Sequence, residues 1–144
     1  MGGKNYHIEI VFEDGVRWLA RIRRFTASSP PPKLRDYLIQ SEIATLKCLE
    51  ATAVPTPKLF DYTFEGDGNP VGVGYMLIEK LPGTSLQWHV ASSKQKFKVL
   101  EGLADAFIEL QKQPLSEIGC LKNPSSHQIG PFARDVLTDL THPI

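Results

Sequence analysis

The sequence has little cysteine, no net charge and no long apolar run, and each shortage removes a class of protein. Its two cysteines, Cys48 and Cys120, stand far apart and outside any metal or redox spacing. That usage fits structural thiols of a reducing compartment and not a disulfide-framed secreted domain. Sixteen basic residues balance sixteen acidic ones, which leaves no overall field to attract nucleic acid, an anionic membrane or a polyanionic partner. Any phosphate site must be local. Nowhere do about 18 apolar residues follow one another, and the start lacks a basic-then-apolar leader. The expectation is a soluble cytoplasmic protein with neither nucleic acid nor membrane as partner. Its 144 residues suffice to bury a real core without staples.

What is present reads as strands first. From Tyr6 to Phe12, Tyr6, Ile8, Ile10 and Phe12 alternate with His7 and Glu9, the period of two of a strand. Glu13-Asp14-Gly15 supplies a hairpin turn, and Val16 to Arg24 follows as a second strand. One of its faces carries Trp18, Ala20 and Ile22, and the other Arg17, Leu19, Arg21 and Arg23. Three successive prolines, Pro30 to Pro32, lead into a helix from Lys33 to about Ala51, with Leu38, Ile39, Leu46 and Leu49 on a narrow arc. Lys58 to Phe64 and Gly74 to Lys80 read as two further strands, and Pro82-Gly83 as a break. Ser92 with Gln95 has capping-box spacing. The helix it opens runs to about Gln113, with Phe97, Leu100, Leu103, Ala104, Phe107 and Leu110 on a side expected to pack on a core. After Pro114 the chain is loop-rich, apart from a short helix around Phe132 to Leu140. The order implies an α+β fold: an antiparallel sheet with one intervening helix, then the start of a helical region.

Charged residues in apolar settings point to chemistry. Glu42 falls in the middle of the arc made by Leu38, Ile39, Leu46 and Leu49. An ionised carboxylate facing a core needs a cation, and the arginine-bearing face of the second strand offers Arg21 or Arg23, whose planar forks hold a carboxylate through two hydrogen bonds. Such a pair can simply orient the helix on the sheet. Arg17 and Arg24 read as a solvated strand end. Gly2-Gly3-Lys4-Asn5 leads directly into the first strand. It is either a flexible start or a place where backbone N–H groups approach phosphate oxygens. The strand Met76-Leu77-Ile78-Glu79 and its abrupt exit through Lys80-Leu81-Pro82-Gly83 leave backbone that a flat ligand edge could pair with, although many buried strands end in the same way.

Together the stretches GGKNYHIEIVFEDGVRWLARIRR, SEIATLKCLEATAVPTPKLFDY, NPVGVGYMLIEKLPGTSL and LADAFIELQKQPLSEIGCL resemble, in order and spacing, the aminoglycoside-phosphotransferase family of protein-kinase-like phosphotransferases, in its fungal form. The resemblance implies a small lobe over residues 1–83, without the family's first strand and ending in the hinge, and the start of a helical large lobe over residues 84–144. It places Arg21 where kinases keep a lysine on the α- and β-phosphates, paired with the helix glutamate, here Glu42. Arginine there departs from the protein-kinase pattern, since a planar fork meets phosphate differently from an ammonium. Gly2, Gly3 and Asn5 resemble the second half of the glycine loop. Leu19 would line the adenine pocket, Ile78 would be the gatekeeper, and the backbone of Glu79 and Leu81 would read the adenine edge.

The implied ligands are ATP with Mg²⁺ and a small-molecule acceptor, and the parent reaction is transfer of the γ-phosphate to a hydroxyl. The His-x-Asp catalytic loop with its Asn, and the later metal-binding Asp, are not found: His7, His89, His127 and His142 start no such loop. No residue is assigned as catalytic base or metal ligand, and the fragment is expected to be inactive. The other reading is a non-catalytic remnant serving as a binding or interaction module. An exposed edge on the Tyr6–Phe12 strand is expected to favour self-association.

Overall fold

The computed structural model describes residues 5–27, 29–66, 68–123 and 128–132. Alternation of side chains builds the first hairpin, in which β1 (Asn5–Val11) pairs antiparallel with β2 (Arg17–Arg23). At the turn Gly15 adopts a φ of 84° and the Asp14 carboxylate accepts the Val16 N–H at 3.0 Å, which is why Asp-Gly suits this connection. The prolines then start α1 (Pro32–Leu49) without a side-chain cap. Instead the Pro31 carbonyl accepts the N–H groups of Leu34 and Arg35 at 3.0 and 3.1 Å, and proline's fixed φ suits the first helical turn. A second hairpin, β3 (Leu59–Thr63) and β4 (Tyr75–Glu79), completes an antiparallel sheet of order β1-β2-β4-β3. The α+β class, with one helix inserted between two hairpins, is as the sequence implies.

Register decides which face meets the helix. Leu19 lies opposite Ile78 and Arg21 opposite Met76, so these four side chains share one face. α1 covers it: Ile39 and Ile43 pack on Met76, with Leu59 and Ile78 beside them. The arginine-bearing face of β2 is therefore the inner one. The outer face carries Tyr6 and Ile8, each 52% exposed, and an aromatic group in which Trp18 stacks on Phe60 at 4.4 Å and Phe12 meets Trp18 edge-on at 4.8 Å. Gly74 passes under α1, where a Cβ would come within 2.6 Å of Ile39 Cδ1. Gly74→Ala is thus expected to cost about 1–3 kcal/mol through displacement of Ile39, read as a lower urea midpoint at unchanged slope.

Two expectations change in the later half. The supposed loop after Pro114 contains β5 (Cys120–Asn123) and β6 (Gln128–Gly130), an antiparallel pair. Leu121 of β5 is buried, and Tyr37 of α1 donates to the Pro131 carbonyl at 2.8 Å, so this hairpin, from the segment after residue 83, is fastened to α1. α2 (Ser93–Gln111) begins with the expected capping box, Gln95 N–H to Ser92 Oγ at 3.3 Å and Ser92 N–H to Gln95 Oε1 at 2.9 Å. It does not pack its apolar side on a core, however. None of its residues is buried, and Phe97 and Phe107 are 63% and 64% exposed. The helical period shows that the helix is two-sided but says nothing of what covers it. The short helix expected around Phe132 to Leu140 lies, beyond Phe132, outside the described residues. Among the described residues no helix is long and apolar enough to cross a membrane.

Candidate functional site

The site is built where β2, α1 and the end of β4 meet. Arg21 is the partner of Glu42: its Nη1 donates to Oε2 at 2.6 Å and its Nη2 to Oε1 at 3.1 Å, a bidentate fork. The setting is wetter than the helical wheel implies, because the buried stripe of α1 is centred on Ile39 and Ile43 and Glu42 lies at its flank. The two side chains are 28% and 39% exposed, so Glu42 does not face a closed core. Two of the five N–H donors of Arg21 are spent on Glu42. Three remain for an anion.

Leu19 and Ile78, opposite each other on the same inner face, provide an apolar wall one strand-step pair from Arg21. Beyond them the pairing of β3 and β4 ends irregularly. Glu79 N–H donates to the Lys58 carbonyl at 2.8 Å, while Lys58 N–H goes to the Glu79 carboxylate at 3.2 Å, so the glutamate side chain takes the bond its own carbonyl would otherwise receive. Leu81 N–H makes no hydrogen bond among the described residues. The structure thus brings Leu19, Arg21, Glu42 and Ile78 together and sets Glu79 and Leu81 at their edge. Asn5 stands at the far end of β1, opposite Arg23, about 13 Å along the strand from the level of Leu19. Gly2 and Gly3 lie outside the described residues.

Two ion-pair systems escape a sequence reading. Glu9, opposite Leu19 on β1, receives Arg17 Nη1 at 3.0 Å and Lys80 Nζ at 2.6 Å, tying the first strand to the chain leaving β4. Arg17 is therefore one arm of this clamp, though its side chain is 58% exposed. The hydrogen bond from Lys80 is the largest influence on the Glu9 carboxyl; burial opposes it, and the charges of Lys80 and Arg17 add to it, so the pKa is held below its ordinary value. A lowered carboxylate pKa means that the clamp is whole above the ordinary carboxylate range and lost as pH falls through the depressed value. Titration of Glu9 followed by NMR is expected to show this, with Lys80→Ala returning the midpoint toward ordinary values.

The other system is the most buried pair in the described chain. Arg35 donates from Nε to Glu65 Oε1 at 2.8 Å and from Nη2 to Oε2 at 2.5 Å, with side chains 10% and 12% exposed. Its Nη1 donates to the Pro30 carbonyl, and its guanidinium lies 4.5 Å from the Phe25 ring centre. Neither residue stands out in the sequence: Glu65 sits in a turn-rich stretch and Arg35 near a helix start, where charges are ordinarily solvated.

Among the described residues no group of three or more His, Cys, Asp or Glu could hold a metal ion, so no step is assigned to Mg²⁺. Comparisons with protein-family models, curated proteins and solved structures found no match.

Proposed function

We propose that the chain carries the nucleotide cradle of a protein-kinase-like small lobe, of the type found in aminoglycoside-phosphotransferase-like enzymes. The observation that supports this most is the bidentate Arg21–Glu42 pair on the face that also carries Leu19 and Ile78. Arg21 keeps three N–H groups next to this apolar wall and the main-chain edge at Leu81 is open.

In this reading a purine lies against the wall made by Leu19 and Ile78, its edge reads the main chain at Glu79 and Leu81, and its phosphates extend along β2 toward Arg21 and Asn5. Glu42 fixes the plane of the guanidinium, so little of its freedom is lost when phosphate arrives. ATP when bound would supply the γ-phosphate for transfer to a hydroxyl. Within these 144 residues no His-x-Asp loop and no later metal-binding Asp supplies the rest of that chemistry, so the proposed property of the chain is binding without turnover.

Isothermal calorimetry tests it. Saturable heat with ATP that weakens in Arg21→Ala and Glu42→Ala is expected. Silence in the wild-type chain would favour a module whose partner is not a nucleotide, and turnover of ATP by the pure chain would overturn the assignment of binding alone.

A further inference from the structure

We propose that β1 is a self-complementary edge, and that two copies of the chain join their sheets by antiparallel pairing of β1 with β1 about a two-fold axis at Ile8.

The hydrogen-bonding parity of the first hairpin fixes which groups point outward. Phe12 N–H donates to the Val16 carbonyl at 2.9 Å, so in the register that pairs Ile10 with Trp18, Ile8 with Ala20 and Tyr6 with Ile22, the main-chain groups of these even-numbered residues face β2. Those of Asn5, His7, Glu9 and Val11 face away from it. β1 is the terminal strand in the order β1-β2-β4-β3, and among the described residues nothing pairs with that side. It carries no proline, no bulge and no lysine, three of the devices that protect an edge, and its one inward-facing charge, Glu9, is neutralised by Arg17 and Lys80.

Only one antiparallel register overlaps all seven residues of β1, and it is centred on Ile8. It sets His7 against Glu9 of the other copy and Asn5 against Val11, twice each. All four are residues whose N–H and C=O point outward, so the parity is correct for a ladder. The side chains also agree: Ile8 meets Ile8 at the axis, Tyr6 meets Ile10 on the outer face, and no residue is opposed to a like charge. The carboxylate of Glu9, already directed at Arg17 and Lys80, keeps lone pairs for the imidazole of the facing His7. Tyr6 and Ile8, half exposed in one copy, become neighbours across the seam. Two-fold pairing consumes the β1 edge of each copy, so this contact closes at a dimer.

Sedimentation velocity of the whole chain up to about 500 µM is expected to show a reversible monomer–dimer equilibrium. Ile8→Lys puts two like charges at the axis while its side chain stays on the open face, and His7→Pro deletes an outward N–H without touching the β2 ladder. Each is expected to weaken the dimer at least about tenfold, with an unchanged far-UV circular dichroism spectrum. Non-bonded antiparallel partners have Cα atoms about 4.5 Å apart, close enough for a disulfide, so Ile8→Cys should cross-link two chains on mild oxidation where Ile10→Cys and the wild type do not.

A chain that stays monomeric over this range would overturn the proposal. So would a dimer indifferent to both β1 changes but abolished by Phe107→Glu on the exposed side of α2. Cross-linking at position 10 in place of 8 would contradict the register.

Discussion

Replacing Arg35 with alanine is expected to lower the stability of the chain by about 3–5 kcal/mol and its melting temperature by roughly 10–15 °C. Truncating one side of a buried ion pair leaves the other charge uncompensated, which costs far more than the pair contributes when whole. Glu65 would keep its carboxylate in a place only 12% exposed, with both oxygens stripped of donors. The Pro30 carbonyl and the Phe25 ring would lose the guanidinium as well. Such a loss is a large share of the roughly 5–15 kcal/mol that holds a domain together. The double replacement Arg35→Met with Glu65→Leu removes both charges and keeps the volume, and is expected to recover most of the loss. Equal destabilisation by the single and double changes would contradict the ion-pair account. The same truncation at Arg21 is expected to cost no more than about 1 kcal/mol, because Arg21 and Glu42 are 28% and 39% exposed and water can replace the missing partner.

The ranking reverses for ligand binding. Arg21→Ala is expected to weaken ATP about 10- to 100-fold, the effect of losing charge-assisted hydrogen bonds of about 1.5–3 kcal/mol. Glu42→Ala is expected to weaken it less, since the guanidinium keeps its charge but loses the fork that orients it. Because Glu42 acts through Arg21, the double replacement should be no worse than Arg21→Ala alone, a coupling visible as non-additivity in a double-mutant cycle. Arg35→Ala, assayed at a temperature where it remains folded, should bind as the wild type does. A structural role alone for Arg21 predicts the opposite pattern, in which affinity follows stability across all four variants.

Much of this was legible in the residues because local and long-range preferences agree. The alternation of Tyr6, Ile8 and Ile10 against His7 and Glu9, the Asp14-Gly15 turn and the Ser92–Gln95 box each have one good structural solution, and the structure adopts it. That Glu42 needs a cation could be inferred because a carboxylate within an apolar arc demands one and the second strand offers Arg21 or Arg23; the structure decides for Arg21. What could not be read depended on contacts distant in sequence. β5 and β6 are too short, and too close to Gly119, Pro124 and Gly130, to show a period. Their stability comes from docking on Tyr37 and its neighbours in α1. Arg35 and Glu65 are thirty positions apart, and neither interrupts an apolar pattern, so only the folding of the β3–β4 connection against the start of α1 reveals them. The exposure of Glu42 and of α2 was hidden for a related reason. A wheel gives the direction of a side chain relative to its helix, while burial depends on what the neighbouring elements leave uncovered.

The central claim, that a nucleotide sits on the inner face of β2 beside the end of β4, is tested most directly by titrating ATP into isotope-labelled chain and following backbone and arginine side-chain NMR signals. The expected result is saturable shifts confined to Leu19, Arg21, Glu42 and the stretch from Ile78 to Leu81, lost in Arg21→Ala. Shifts that cluster elsewhere on the fold, or none at saturating nucleotide, would contradict it.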